Sequence, residues 1–196
     1  ILELEENLLS YICEKIAERC QEELEIVGRN PEDLLKVKPP FKRLTYSEVV
    51  EMLKKEGFDI EWGQDLGAPE ERAISEKFNK PFFIIGYPVE AKAFYHMPDP
   101  DNPKVTRSAD LLAPEGYGEI AGGGERIADY NLLLEQIRKF GLNPEDYRWY
   151  LDLRKYGSVP HAGFGLGIER TVRWICKLEH IREAVPFPRT PSRVYP

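Results

Sequence analysis

The stretch Gly163-Phe164-Gly165-Leu166-Gly167-Ile168-Glu169-Arg170 decides how the rest of the chain is read. Glycines at alternate positions share one face of a strand, because side chains alternate between faces. That leaves a strip of bare backbone against which a flat ring or a phosphate chain can lie. Arg170 follows where the strand gives way to a helix, a position suited to a cation facing a triphosphate. The spacing matches neither a Walker A loop nor a Rossmann fingerprint. Taken alone, alternate glycines also mark a bulge or close backbone packing.

Two further glycine-bearing segments lie upstream. In Gly116-Tyr117-Gly118-Glu119-Ile120-Ala121-Gly122-Gly123-Gly124-Glu125-Arg126, Glu119 sits among glycines and Asp110 lies on the adjoining strand. Two carboxylates in such a setting can hold Mg²⁺ jointly with substrate phosphates. Arg126, expected at the end of a loop, offers a planar fork to a carboxylate or amide oxygen. The plainer reading is a surface loop with a solvated Glu–Arg pair. In Tyr156-Gly157-Ser158-Val159-Pro160-His161-Ala162-Gly163 a single histidine precedes the glycine strand, where it is either structural or catalytic.

Outward from these segments, the pattern predicts an α+β domain on a mainly antiparallel sheet flanked by helices. Residues 1–27 read as one amphipathic helix burying Ile1, Leu4, Leu8, Ile12, Ile16 and Leu24, stopped by Gly28 and lacking an N-cap of its own. Lys38-Pro39-Pro40 is a rigid connector, and Thr45-Tyr46-Ser47-Glu48 fits a capping box ahead of Val49, Val50 and Leu53, with Gly57 as the stop. A short helix begins near Pro69 and runs through Ile74 and Phe78. Phe82–Ile85, Ala91–Met97 and Val105–Leu112 read as strands, the last two joined by a turn at 99–103. Helices follow over 127–140 and after Asn143, the second burying Tyr147, Tyr150, Leu151 and Leu153. Ala162–Ile168 is then a strand and Glu169–Leu178 a helix.

Composition narrows the class. The 196 residues carry a net charge of −7, with 42% hydrophobic and 31% charged side chains, which fits one globular domain. The acidic balance argues against a freestanding DNA- or RNA-binding module, whose affinity comes from neutralising phosphates. No apolar run approaches the roughly 18 residues of a membrane span. Cys13, Cys20 and Cys176 read as small core residues, the first two on one helical face, in a reducing compartment; a cytoplasmic location is expected.

Taken together, the Gly116–Arg126 segment, the run Trp149-Tyr150-Leu151-Asp152-Leu153-Arg154-Lys155-Tyr156-Gly157-Ser158-Val159-Pro160-His161 and the Gly163–Arg170 strand resemble the class II aminoacyl-tRNA synthetases. The last of these is similar to their motif 3. Val159-Pro160-His161, where aspartyl enzymes more often show Pro-Pro-His, and the closing Phe187-Pro188-Arg189-Thr190-Pro191 resemble the asparaginyl branch. The likeness covers essentially the whole chain, most specifically residues 107–196.

The resemblance implies an ATP-dependent ligase that activates asparagine as an adenylate and transfers it to tRNA(Asn), with Mg²⁺ on the nucleotide. It implies that Arg170 and Glu119 are catalytic, and that Glu119, Gly163, Gly165, Gly167 and Arg170 line the ATP site. Asp110 and Glu119 would hold the metal, although the loop before Glu119 is longer than in aspartyl enzymes. Arg126 would grip the substrate side-chain oxygen and His161 would shape the amino-acid pocket. The same resemblance implies a homodimer in a longer protein, with no membrane or DNA partner. Motif 1, motif 2 and the anticodon-binding barrel are not found, so residues 1–196 are expected to be the C-terminal catalytic portion, ending naturally at Pro196 and inactive alone. A synthetase-derived asparagine synthetase using ammonia, an aspartyl-tRNA synthetase and a non-catalytic paralogue remain open alternatives.

Overall fold

The computed structural model describes residues 1–195. Pro196, read as a natural C-terminus, lies outside the described residues. The expected α+β architecture is present: five strands form one sheet in the order β1(Lys42–Thr45), β2(Phe82–Ile85), β3(Ser108–Ala113), β4(Gly118–Arg126) and β5(His161–Leu166). β1 and β2 run parallel, and every other neighbouring pair is antiparallel.

Helices cover both faces. On one side, α1(Leu2–Arg19), α2(Gln21–Ile26), α3(Pro31–Leu35) and α8(Ile168–Ile175) pack with Phe83, Ala109, Leu111 and Ala121 into a first core. On the other, α4(Tyr46–Lys55) and α5(Ala68–Ser75) close over Phe82, Ile84 and Leu112. The alternation along β3 is therefore strict: Ala109 and Leu111 face α1, whereas Asp110 and Leu112 face α4 and α5. A third core joins α6(Tyr130–Lys139) and α7(Arg148–Lys155) to Ile127, Phe94 and Tyr95 beyond the end of β4. Among the described residues no helix is long and apolar enough to cross a membrane.

Several local predictions hold for the expected reasons. Thr45 and Glu48 form a reciprocal capping box at the start of α4. Gly28, Gly57 and Gly141 adopt the positive φ that lets a helix end without a Cβ clash. Asp129 caps α6 by accepting the Leu132 N–H at 2.7 Å.

Others do not hold. The first helix breaks at Cys20, whose φ of −120° and ψ of 42° leave the helical region, so Cys13 and Cys20 do not share one helical face. Its buried stripe is also rotated: Leu9, Cys13 and Ala17 are buried, while Ile1, Leu4 and Leu8 are exposed. That stripe joins Phe83, Ala109 and Leu111 in the first core. Residues 91–97 are not a strand; a single 3₁₀ turn, Val89–Ala91, is followed by irregular chain that touches β4 at the isolated bridge His96–Arg126. The Gly118–Arg126 segment is a strand rather than a loop, because its glycines accept close neighbours on both sides. The helix through Pro69 stops at Ser75, before Phe78, and Leu153 of α7 is exposed. The strand Lys42–Thr45 has no counterpart in the sequence reading.

Candidate active site

The bare strip expected from the glycine spacing is formed by three strands side by side. Asp110 on β3 pairs with Gly122 on β4, which pairs with Gly165 on β5; one step along, Gly124 pairs with Gly163. A one-residue register shift between Leu111 and Leu112 brings Glu119 opposite Leu112, onto the same face as Asp110. Such a bulge re-aims a side chain at the cost of one ladder pairing.

The two carboxylates converge on a definite point. A Cβ built on Gly122 would lie 2.8 Å from Glu119 Oε1 and 3.2 Å from Asp110 Oδ1. The outer oxygens are held from behind. Lys92 Nζ donates to Asp110 Oδ2 at 2.5 Å, and Arg170 Nη1 donates to Glu119 Oε2 at 2.8 Å and to the Glu119 carbonyl at 2.9 Å. One oxygen of each carboxylate is thus tied to a cation, and the other faces the space over Gly122. Mg²⁺ takes one or two carboxylates plus phosphate and water oxygens, so this donor pair fits it. Among the described residues no group of three or more metal-binding side chains is present, so phosphate or water oxygens would complete the shell of a cation here.

The surroundings tune these groups. Burial pushes the Asp110 carboxyl up, and Lys92 opposes that shift. Lys92 lies 3.9 Å from the Tyr87 ring, and desolvation together with the Asp110 charge holds the Tyr87 hydroxyl far above its usual range. Glu71 on α5 is pushed up to about 7, chiefly by burial, although its Oε2 accepts the Glu119 N–H at 2.9 Å. Glu71, Glu119, Arg170, Arg173 and His180 line a cavity of about 390 Å³ at this end of the sheet.

Arg126 sits at the far end of β4. Its guanidinium donates to the Gly124 and Gly163 carbonyls, both at 3.2 Å, and stacks 4.9 Å from the Tyr95 ring. Two N–H groups go to main chain and a third faces His96 at 3.5 Å, so donors are left over for a planar acceptor. His96 is held down to about 4 by burial and by the Arg126 charge, and is therefore neutral at physiological pH. His161 stands directly across from Arg126 in the β4–β5 register, exposed, with Nδ1 2.8 Å from the Val159 carbonyl and Nε2 3.5 Å from Arg154.

All the sequence-derived site residues therefore lie along one continuous face, from Arg170 and Glu119 through Asp110, Gly163, Gly165 and Gly167 to Arg126 and His161. Glu125 is not among them: its carboxylate pairs with Arg107 at 2.8 Å beside a second cavity, of about 650 Å³, whose lining includes neither Asp110 nor Glu119. Sequence reading missed Lys92, Tyr87, His96 and Glu71. Lys92 and His96 fall in the segment read as a strand, Tyr87 lies just before it, and Glu71 looks like any acid in the first turn of a short helix.

Comparison with known proteins gives the family. The family profile for tRNA synthetases class II (D, K and N) matches residues 1–191. An asparagine–tRNA ligase of Pyrococcus abyssi is 52% identical over 196 residues, covering 100% of this chain and 45% of that protein. The crystal structure of asparaginyl-tRNA synthetase from Pyrococcus horikoshii complexed with asparaginyl-adenylate superposes with a TM-score of 0.96 at 51% identity, over 100% of this chain and 45% of that one. An aspartyl-tRNA synthetase from Entamoeba histolytica aligns at 0.86 and 31% identity, over 99% of this chain and 41% of that one. The chain thus spans a little under half the length of these relatives.

Proposed function

This chain belongs to the class II tRNA synthetases of the D, K and N group, and on that premise we propose that it is the motif 3 half of an asparagine–tRNA ligase site, which activates asparagine with ATP. The observation that carries the reading is the convergence of Glu119 Oε1 and Asp110 Oδ1 over Gly122, with Arg170 at one end of the same face and Arg126 at the other. Both the Pyrococcus abyssi ligase and the adenylate-bound Pyrococcus horikoshii enzyme favour asparagine as substrate.

On this reading ATP lies along the glycine strip, whose missing side chains let the nucleotide approach the backbone. Arg170, fixed by two bonds to Glu119, presents its remaining N–H groups to the phosphates. Asp110 and Glu119 would hold Mg²⁺, which would supply charge neutralisation on the phosphate oxygens. Arg126, locked by two carbonyls, orients the side-chain oxygen of asparagine, and His161 walls the same pocket. The asparagine carboxylate then attacks the α-phosphate, and pyrophosphate leaves. No protein nucleophile is needed, so the contribution of these residues is positioning and stabilisation of developing charge. The same reading takes the terminal ribose of tRNA(Asn) as the acceptor and a second copy of the longer chain as partner.

Calorimetric titration of the longer chain with non-hydrolysable asparaginyl- and aspartyl-adenylate analogues tests the proposal. Heat with the asparaginyl compound, at an affinity at least tenfold above the aspartyl one, is the expected result. The reverse order moves the assignment to aspartate, and no heat with either removes the catalytic reading.

A further inference from the structure

α5 reaches the bulge in β4 at two points. Glu71 Oε2 accepts the Glu119 N–H at 2.9 Å, and Ser75 Oγ accepts the Gly118 N–H at 3.3 Å. The fit is close: Gly118 has φ +73°, and a Cβ there would lie 2.8 Å from Glu71 Oε2. The Glu119 N–H lies at the register shift between Leu111 and Leu112, where a bulge leaves ladder groups without strand partners. Glu71 answers that N–H from outside the sheet. Its side chain is half-buried, beside Arg170 and Asp110, and it ties itself to the backbone of the residue whose carboxylate points over Gly122.

We propose that Glu71 is a positioning residue for the Mg²⁺·ATP site, holding the Glu119 N–H within the bulge and so aiming Glu119 Oε1 at the space over Gly122. The inference rests on the nucleotide reading above. It differs from plain structural support in being directional. Glu71 and Ser75 clamp neighbouring N–H groups from the same helix, yet only Glu71 fixes the residue that carries the carboxylate. An acceptor oxygen at the length of a glutamate is required there, so a glutamine serves and an alanine does not.

Two measurements on Glu71→Ala, Glu71→Gln and Ser75→Ala decide it. Amide hydrogen exchange at Glu119, read by NMR on the protein alone, accelerates at least tenfold in E71A and stays within about threefold of the parent in E71Q. Calorimetric titration of ATP across a Mg²⁺ series gives a half-saturating Mg²⁺ concentration about tenfold higher in E71A, restored in E71Q and unmoved in S75A. Parent-like exchange at Glu119 in E71A overturns the proposal. So does an equal rise in half-saturating Mg²⁺ in E71A and S75A, since that marks general support of the strand. Should the parent protein show no Mg²⁺-dependent ATP binding while Glu119 exchange still responds to E71A, the nucleotide reading falls and the Glu71–Glu119 contact stands.

Discussion

The two faces of β3 bury carboxylates in opposite states. On the face turned toward α5, Asp110 is paired with Lys92, and its remaining oxygen meets Glu119 over Gly122. On the face turned toward α1, Glu5 is 1% exposed and neither of its oxygens has a hydrogen-bond partner among the described residues. Burial pushes Glu5 up to about 7, and the Asp110 charge adds to the shift. Its neighbour Glu6, by contrast, accepts the Phe41 N–H at 2.9 Å. A buried acid is therefore tolerated here in two ways: it is neutralised by a cation where charge has a use, and by a proton where it has none.

Removing the cation tests the first arrangement most severely. K92M leaves Asp110 buried without its counter-charge and should cost about 3 kcal/mol in urea unfolding at pH 8. The loss should shrink as pH falls, because protonating Asp110 relieves it; a loss below about 1 kcal/mol at pH 8 would show that solvent already serves the carboxylate. Removing the acid tests the second. The folded-state pKa of Glu5 is raised above its unfolded value, so its contribution is full below pH 4.5 and is lost as pH rises through about 7. E5Q should therefore gain on the parent through that window and lead it by about 2 kcal/mol at pH 8. A stability difference that is flat in pH would mean that Glu5 is ionised in the fold.

Gly122 is the point at which the first arrangement becomes a site. G122A puts a Cβ 2.8 Å from Glu119 Oε1 and should weaken Mg²⁺-dependent ATP binding about tenfold in calorimetry. Thermal unfolding should barely move, since the crowded atom is the end of a flexible side chain. Thr45, remote from both carboxylates, sets the scale of an ordinary local loss: T45A removes the capping box and should cost about 1 kcal/mol by denaturant titration, with nucleotide binding intact.

What the sequence made legible follows the same division. Features that repeat locally were readable: alternate glycines on β5, the Thr45–Glu48 box, and the glycine stops at 28, 57 and 141. The carboxylate pair and both arginines were also readable, because Asp110, Glu119, Arg126 and Arg170 stand in segments of unusual composition. The partners that give those groups their charge state were not. Lys92 reaches Asp110 only because irregular chain folds beside β3, and Glu71 reaches β4 across 48 residues. The buried stripe of α1 was misread for a related reason: two apolar stripes overlap on that helix, and periodicity alone does not say which one meets the sheet. The parallel pairing of β1 with β2 needs the α4–α5 crossover to return, which no local pattern encodes.

The short turn between β3 and β4 also bears on how the molecule assembles. Asp110 and Glu119 sit on the two arms of a hairpin closed by residues 114–117, a contact that costs little loop entropy and forms on the microsecond scale of hairpins. Arg170 joins Glu119 from 51 residues away. Contact range alone therefore expects the two acids to meet before the distant arginine arrives, with their mutual repulsion opposing the hairpin until then. A divalent ion present during refolding would relieve that repulsion early, so the refolding rate, more than the final stability, is where this hairpin should respond to Mg²⁺.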